Sequence, residues 1–409
     1  MACLGLLGNY LLLWSLDVGA FATISLFLAA FQFLQEGMGR SLNWALVRLV
    51  PRGERQRPGG GAAMLQAVAS VQYRFALAGP LLIVPVAGVV SLAAVTAHAA
   101  STASMIVFAS LGAAGAVLFQ FELGRLQLQE RFFAFSGWLV SQSLLRVCAW
   151  ATLWSLGCLD LFSGIAAHLA STWLLLLLTR NHTGPLPKLQ PTAADRAAVL
   201  RFGGPMVLAT TLAALAAQLD LFLLDATADA GSTARYRLVV LLATVIELAT
   251  SSVMTALLPR AGRASNPQER RSSLTNNARW GVLVAAFGLC SYPVVLWLIP
   301  AWFPPEYASA TALWPIVLGG VLATALTDPL GLQFISRDRP HRYVWLNGAM
   351  LAIVLVGNLV VPGDDRCLVA AWVRTASRVL LGLGIVCLVW RDLSSPATDP
   401  SGPPPPLAP

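Results

Sequence analysis

Long apolar stretches separated by short polar segments run through the whole chain. Each stretch is close to the roughly 20 residues that an α-helix needs to cross the hydrocarbon core of a bilayer. The pattern predicts eleven transmembrane helices, near residues 11–34, 69–95, 103–121, 133–156, 159–178, 203–224, 236–258, 279–300, 310–333, 342–361 and 367–390. Gly79, Pro80 and Pro85 predict a kink or break in the second of them. We therefore expect an all-α, polytopic membrane helix bundle.

The composition agrees with a membrane protein and excludes several other classes. Hydrophobic residues make up 57% of the 409 positions and charged residues 11%, whereas a soluble domain is about 25% charged. The net charge of +8 lies in short runs between apolar stretches instead of on one soluble face, which argues against nucleic-acid binding. The six cysteines and four histidines are scattered. We expect no metal site, no cofactor and no disulfide framework.

Arginine placement predicts the orientation in the membrane. Alternate loops are basic: 35–66, 122–132, 179–202, 259–278 and 334–341 together carry seventeen lysine and arginine residues. The other loops, 96–102, 225–235, 301–309 and 362–366, carry two. Cytoplasmic loops of membrane proteins are enriched in these residues. The sequence thus predicts a multi-pass protein of the bacterial cytoplasmic membrane, with the basic loops and the C-terminus inside.

The linking segments predict two lobes. Residues 1–185 form a first lobe of about five spans, 186–202 a cytoplasmic linker with prolines, 203–391 a second lobe of six spans, and 392–409 a disordered proline-rich tail. Residues 40–52 read as an amphipathic helix lying at the headgroup surface. Eleven spans put the two termini on opposite sides, so either the architecture has an odd number of helices or one helix is missing before the first predicted span. Residues 1–10 are too short and mixed to supply it.

Several local patterns resemble one family. Residues 202–262 contain, in order, Phe202, Pro205, Asp220, Tyr236 and Leu258-Pro259. This order is similar to the seventh and eighth helices of the polysaccharide flippases in the MATE-like multidrug/oligosaccharidyl-lipid/polysaccharide exporter superfamily. Further similar segments are 296–320, Leu368-Val369-Ala370-Ala371-Trp372, Leu7-Gly8-Asn9-Tyr10 and Ala45-Leu46-Val47-Arg48. The resemblance implies a two-lobed fold of twelve helices, here lacking the first.

Acidic side chains inside predicted spans are candidates for ion coupling, because an ionisable group in a bilayer is costly and is retained mainly where it functions. Glu247 lies near the middle of span 236–258, where it could exchange a proton or pair with an arginine. Asp220 and Asp17 lie nearer the ends of their spans. Asp328 precedes Pro329 and is interpreted as part of a helix kink.

Arginines inside the spans are the candidates for substrate binding. Arg146 is in mid-span, and Arg374 and Arg378 are four residues apart on one helix face. Arg74 and Arg237 lie closer to the membrane surfaces. Arginine matches phosphate oxygens in bidentate fashion, so these residues could line a cavity for an anionic substrate. The alternative is that they only form ion pairs with Glu247, Asp220 or Asp328.

These features predict a transporter and not an enzyme, since no nucleotide-binding loop or catalytic motif is found. The resemblance implies a flippase for a polyprenyl-pyrophosphate-linked oligosaccharide in cell-surface polysaccharide biosynthesis. Its partners would be membrane lipids and possible polysaccharide polymerases and glycosyltransferases. Three alternatives stay open: a cation-coupled drug antiporter on the same fold, a membrane-bound glycosyltransferase or polymer ligase, and a scaffold that transports nothing.

Overall fold

The structure is a computed structural model that describes residues 2–93, 97–263, 267–336, 341–361 and 365–394. The described residues form thirteen α-helices and no strand. The helices are α1 (Ala2–Ser15), α2 (Val18–Gln35), α3 (Ser41–Gln56), α4 (Gly60–Ala93), α5 (Ala97–Leu128), α6 (Phe132–Ser155), α7 (Leu161–Thr183), α8 (Ala193–Thr227), α9 (Ala230–Arg263), α10 (Pro267–Trp302), α11 (Trp314–Ser336), α12 (His341–Val360) and α13 (Arg366–Ser394). A π-helical turn (Glu36–Arg40) joins α2 to α3, and a 3-10 helix (Pro305–Ala312) precedes α11.

The predicted fold class is confirmed. Within the described ranges, nine helices, α5 to α13, are long and apolar enough to cross a membrane. The chain is thus a multi-pass membrane protein. Helix α4 runs as one helix from Gly60 to Ala93 through the predicted break. The predicted tail lies outside the described residues beyond Ser394.

The predicted first span, 11–34, is wrong as a single helix. Helix α1 ends at Ser15, and α2 begins at Val18 with Asp17 as its N-cap. One carboxylate oxygen of Asp17 accepts a hydrogen bond from the Ala20 backbone N–H at 2.8 Å, which satisfies a free donor of the new helix. Residues 2–10, which were expected to precede the first span, therefore belong to a helix of 14 residues, about 21 Å long.

The amphipathic helix is present as α3, but its apolar face does not lie on the membrane surface. Leu42, Ala45, Leu46 and Leu49 are all buried by the protein itself. They pack in one cluster with residues of α4, α5 and α8, among them Phe202. Without a tertiary partner this face would need lipid, and the sequence cannot show that such a partner exists.

The π-helical turn brings α2 close to α8. A Cβ built on Gly37 would lie 2.9 Å from Thr211 Oγ1 and 3.3 Å from its Cα, so a glycine is needed at this contact. The Thr210 hydroxyl donates to the Gly37 carbonyl at 2.8 Å. Insertions of this kind often occur at functional sites. Here the turn places Glu36 on the wall of a cavity.

The predicted linker is shorter than expected, because α8 already begins at Ala193. Thr192 caps this helix in a capping box with Asp195, a pattern that fixes a helix start. The other end of the linker is held by Arg125 of α5. Its guanidinium donates to the backbone carbonyls of Thr183, Gly184 and Pro185 at 3.0 to 3.3 Å. The segment between residues 186 and 191 joins two anchored ends.

Apolar packing joins the two halves of the chain at both ends of the bundle. The end that carries the loops α3–α4, α5–α6 and α7–α8 is called here the arginine-rich end. At the opposite end, one continuous core contains Phe21, Ile24 and Phe27 of α2 together with Tyr236 of α9 and Trp314 of α11. At the arginine-rich end, the cluster around α3 also includes Met254 and Leu257 of α9. Apolar contacts therefore connect the two halves at both ends.

The contacts of Arg125 with Glu122 and with the end of the linker are called here the linker clamp. Removing this buried arginine should destabilise the protein far more than removing an exposed one. Arg125 is paired with Glu122 at 2.7 Å, and their side chains are 5% and 1% exposed. We expect R125A to lower the free energy of unfolding by about 3–5 kcal/mol, because a buried carboxylate loses its partner. The matched control R57A breaks the pair with Asp195, whose arginine is 49% exposed, and should lose about 1 kcal/mol or less. Thermal unfolding of the purified protein in detergent measures both, and equal losses would contradict the clamp.

The predicted orientation can be checked with a natural cysteine. Cys158 is free and exposed and lies in the short turn between α6 and α7, at the end opposite to the arginine-rich one. We expect a membrane-impermeant maleimide to label Cys158 from outside the cell, and C158S to lose that label. Labelling that appears only after the membrane is permeabilised would contradict the predicted orientation.

Candidate functional site

A cavity of about 240 Å³ lies among the second-half helices α8, α9, α11, α12 and α13, and Glu36 and Trp44 from the first half contribute to its wall. It extends from the middle of these helices toward the arginine-rich end. The small residues of its wall share one face of α8, four positions apart: Ala209, Ala213 and Ala217. Four ionisable acidic and basic residues line it: Glu36, Glu247, Asp328 and Arg378.

Aromatic rings meet beside this cavity at the arginine-rich end. Trp44 of α3 and Tyr343 of α12 both line it, and their ring centroids are 6.3 Å apart. This distance is typical of an aromatic contact. The contact joins the first half of the chain to the second, so any opening of the cavity between the halves at this point must separate the two rings.

Asp220 of α8 is the centre of a buried polar cluster directly behind the cavity. Its carboxylate accepts from the Tyr236 hydroxyl of α9, from Arg374 Nη1 of α13 at 2.7 Å and from the Leu221 backbone N–H at 2.8 Å. Arg374 Nη1 also donates to the Ala217 carbonyl at 2.8 Å. Asp220, Tyr236 and Arg374 are all almost completely buried. The cluster therefore ties three helices together, and its carboxylate is already occupied by protein donors.

Glu247 of α9 occupies a different environment. Its carboxylate lies 2.5 Å from Arg378 Nη2 and 3.8 Å from Arg374 Nη2. The Glu247 side chain is 31% exposed, whereas those of Arg378 and Arg374 are 7% and 5% exposed. Because Arg374 and Arg378 are one helical turn apart on α13, they reach Glu247 from the same side. Glu247 and Arg378 are the members of the cluster that line the cavity.

Arg237 of α9 adds a third guanidinium to the cluster. It is buried and close enough to interact electrostatically with Asp220, Glu247 and Arg374. It forms no ion pair within 4 Å with any residue that the structure describes. The cluster thus holds three guanidinium groups and two carboxylates, a formal excess of one positive charge in the middle of the second half.

The structure brings five of the eight predicted site residues together: Arg237, Arg374, Arg378, Glu247 and Asp220. The other three lie elsewhere. Arg146 is on α6 in the first half, partly buried, near His168. Arg74 is exposed on α4, and Asp17 caps α2. Whether these residues bind substrate or an ion stays a prediction.

Sequence reasoning missed parts of this site. Glu36 was placed in a loop, because the helix was expected to end before it, and Asp328 was interpreted as part of a kink. Both line the cavity. Tyr236 appeared only as part of the resemblance, although its hydroxyl completes the Asp220 cluster. A tyrosine at the start of an apolar helix, sixteen residues after an intramembrane aspartate, is the signal that could have indicated the pair. Among the described residues no group of histidine, cysteine and acidic side chains could hold a metal ion.

Comparison with known proteins identifies the fold. No family model matches the sequence, and no curated protein matches it. Solved structures do match, among them a MOP superfamily transporter from Pyrococcus furiosus, with 12% identity over 96% of this chain and 92% of that chain and a TM-score of 0.73. The chain shares the fold of that transporter.

Two further MOP structures show how widely this fold is shared. The eukaryotic MATE transporter AtDTX14 matches at 16% identity over 96% of this chain and 95% of that one, with a TM-score of 0.69. The lipid II flippase MurJ, in an inward closed conformation, matches at 12% identity over 96% and 87% of the chains, with a TM-score of 0.68. At such identities the likeness establishes the MOP fold and leaves the substrate open.

The two carboxylates of the cluster should contribute unequally to stability. We expect D220N to lower the free energy of unfolding by about 3–5 kcal/mol, since it leaves the buried Arg374 without its closest counter-charge. E247Q should cost less than D220N, because the Glu247 side chain is 31% exposed and that of Asp220 is 1% exposed. Tryptophan fluorescence during thermal unfolding in detergent compares the two variants. A larger loss for E247Q would show that Asp220 is not the structural centre.

Proposed function

We propose that this protein is an alternating-access flippase that moves a polyprenyl-pyrophosphate-linked oligosaccharide across the bacterial cytoplasmic membrane for cell-surface polysaccharide synthesis. The observation that carries this proposal is the excess of buried positive charge. Three guanidinium groups share two carboxylates in the cluster, and Arg146 likewise has no ion pair within 4 Å among the described residues. Uncompensated charge inside a membrane protein is costly and points to a substrate pathway.

A pyrophosphate group fits this charge. It is anionic, and guanidinium groups bind phosphate oxygens with two parallel hydrogen bonds. Its sugars would meet the polar part of the wall, which includes Thr210, Thr250, Thr324 and Asn347. The lipid tail would stay in the bilayer. A cavity of about 240 Å³ is too small for the whole head group, so the two halves would separate when substrate enters.

The movement we propose is a rocking of the two halves about this cavity, the general mode of transporters with two-lobed folds. The arginine-rich end would open first, by separation of Trp44 from Tyr343, while the apolar core at the opposite end stays closed. The halves would then close over the substrate and part at that opposite end. Cytoplasmic glycosyltransferases would supply the substrate, and a polymerase would receive it outside.

The unpaired arginines give a direct test in a strain that lacks the gene. We expect R146A and R237A each to reduce surface polysaccharide by at least about tenfold, with lipid-linked oligosaccharide accumulating inside, because loss of a charged hydrogen bond weakens binding by about that factor. The matched control R74A removes an exposed arginine and should support wild-type export. Both glycan pools are quantified alongside protein levels. Wild-type export by R146A and R237A together, or unchanged glycan in the deletion strain, would contradict the proposal.

A second candidate function is cation-coupled drug antiport, and one observation favours it. The cavity wall itself carries three carboxylates, those of Glu36, Glu247 and Asp328, against the single guanidinium of Arg378. An acidic wall suits a cationic substrate. In this case cells that overproduce the protein would extrude a lipophilic cation such as ethidium, D328N would slow the efflux, and deletion would leave both glycan pools unchanged.

A further inference from the structure

Two ion pairs on one face of α13 differ in how firmly they are held. Asp220 is 1% exposed and accepts from three donors, so its pair with Arg374 is enclosed on all sides. Glu247 is 31% exposed and faces the cavity together with its partner Arg378. An acidic side chain that lines the cavity can leave its partner at lower cost than one enclosed in the protein interior. The pair between Glu247 and Arg378 is therefore the displaceable one.

The guanidinium of Arg378 also has a hydrogen-bond donor that is not used. Its Nη1 atom is buried, yet it has no hydrogen-bond acceptor among the described residues. Within the part of the chain that the structure describes, Nη2 forms an ion pair only with Glu247. Buried polar atoms normally have a partner, and one that has none calls for an explanation. An anion with several oxygens could use both nitrogens, which the single contact from Glu247 does not.

We propose that Glu247 is an internal substitute for the phosphate of the substrate. In the empty protein its carboxylate occupies the anion position at Arg378, and a phosphate or pyrophosphate group that enters the cavity displaces it. This inference rests on the proposed function and assigns the anion subsite within it to Arg378. Asp220 stays bound to Arg374 throughout and keeps α8, α9 and α13 in place while the exchange occurs.

The charges around Glu247 favour a substrate anion that replaces the Glu247 carboxylate at Arg378 over one that binds in addition to it. Arg378 and Arg374 face it from α13, and Arg237 lies on its own helix, while Asp328 of α11 and Glu36 of the π-helical turn line the same cavity. Without its carboxylate, the buried cluster of Arg237, Arg374, Arg378 and Asp220 would hold three guanidinium groups and one carboxylate. Glu247 therefore lowers the charge imbalance when no substrate is bound, and the substrate takes over that role.

Binding of inorganic pyrophosphate to the purified full-length protein in detergent tests this inference by titration calorimetry. We expect E247Q to bind pyrophosphate at least about tenfold more tightly than the wild type, because the internal competitor for a charged hydrogen bond is gone. E247D keeps the charge but shortens the side chain, and it should also bind more tightly. The control E306Q removes an exposed carboxylate that does not line the cavity, and should change the affinity by less than about threefold, because exposed charges are screened by salt.

Arg378 provides the second arm. R378A should abolish the gain in affinity when it is combined with E247Q, and the thermal unfolding of each variant shows that it is folded. The inference is overturned if E247Q binds pyrophosphate no more tightly than the wild type, if E306Q gains as much as E247Q, or if no variant binds it. These outcomes are separate from the export assay. If the deletion strain loses surface glycan while E247Q gains no affinity, the proposed flippase function stands and only the proposed role of Glu247 is contradicted.

Discussion

The buried contact between Arg374 and Asp220 is the interaction on which the second half of this membrane protein depends. In the interior of a helix bundle a charge must find an opposite charge and hydrogen bonds, because no bulk water is present to solvate it. Arg374 meets this requirement only if α8, α9 and α13 approach one another at one point, where Asp220, Tyr236 and the Ala217 carbonyl converge. The contact therefore specifies how three helices pack. Apolar side chains alone would allow several arrangements of these helices.

The same helix that carries this fixed contact also carries the adaptable part of the site. One turn beyond Arg374, Arg378 reaches the cavity wall and meets Glu247 there. The proposed transporter would need both properties, since a site that only rigidifies cannot change state and a site without a rigid support cannot position a ligand. The arginine-rich end shows a similar pair of features. The linker there is held by Arg125, and the contact of Trp44 with Tyr343 is the one that the proposed movement would separate.

The sequence by itself determined that the chain is a polytopic helical membrane protein. This inference depends on the length and polarity of consecutive residues, and the bilayer accepts few structures other than helices of about that length. The sequence also indicated that Glu247, Asp220, Arg374 and Arg378 were unusual, because a charge within an apolar stretch is visible without knowledge of its neighbours. It could not show that Asp17 is a helix cap or that α3 is covered by protein.

Only the tertiary structure decided which of the intramembrane charges meet. A helix presents side chains in all directions, and in a mostly apolar helix the periodicity does not reveal which face contacts which neighbour. Hence Arg146 and Arg378 were equivalent candidates in the sequence, although one lies in the first half of the chain and the other on the cavity of the second. Glu36 reaches that cavity because a π-helical turn and Gly37 bring α2 against α8. Contacts between residues so distant in sequence arise from packing, and only the folded arrangement contains them.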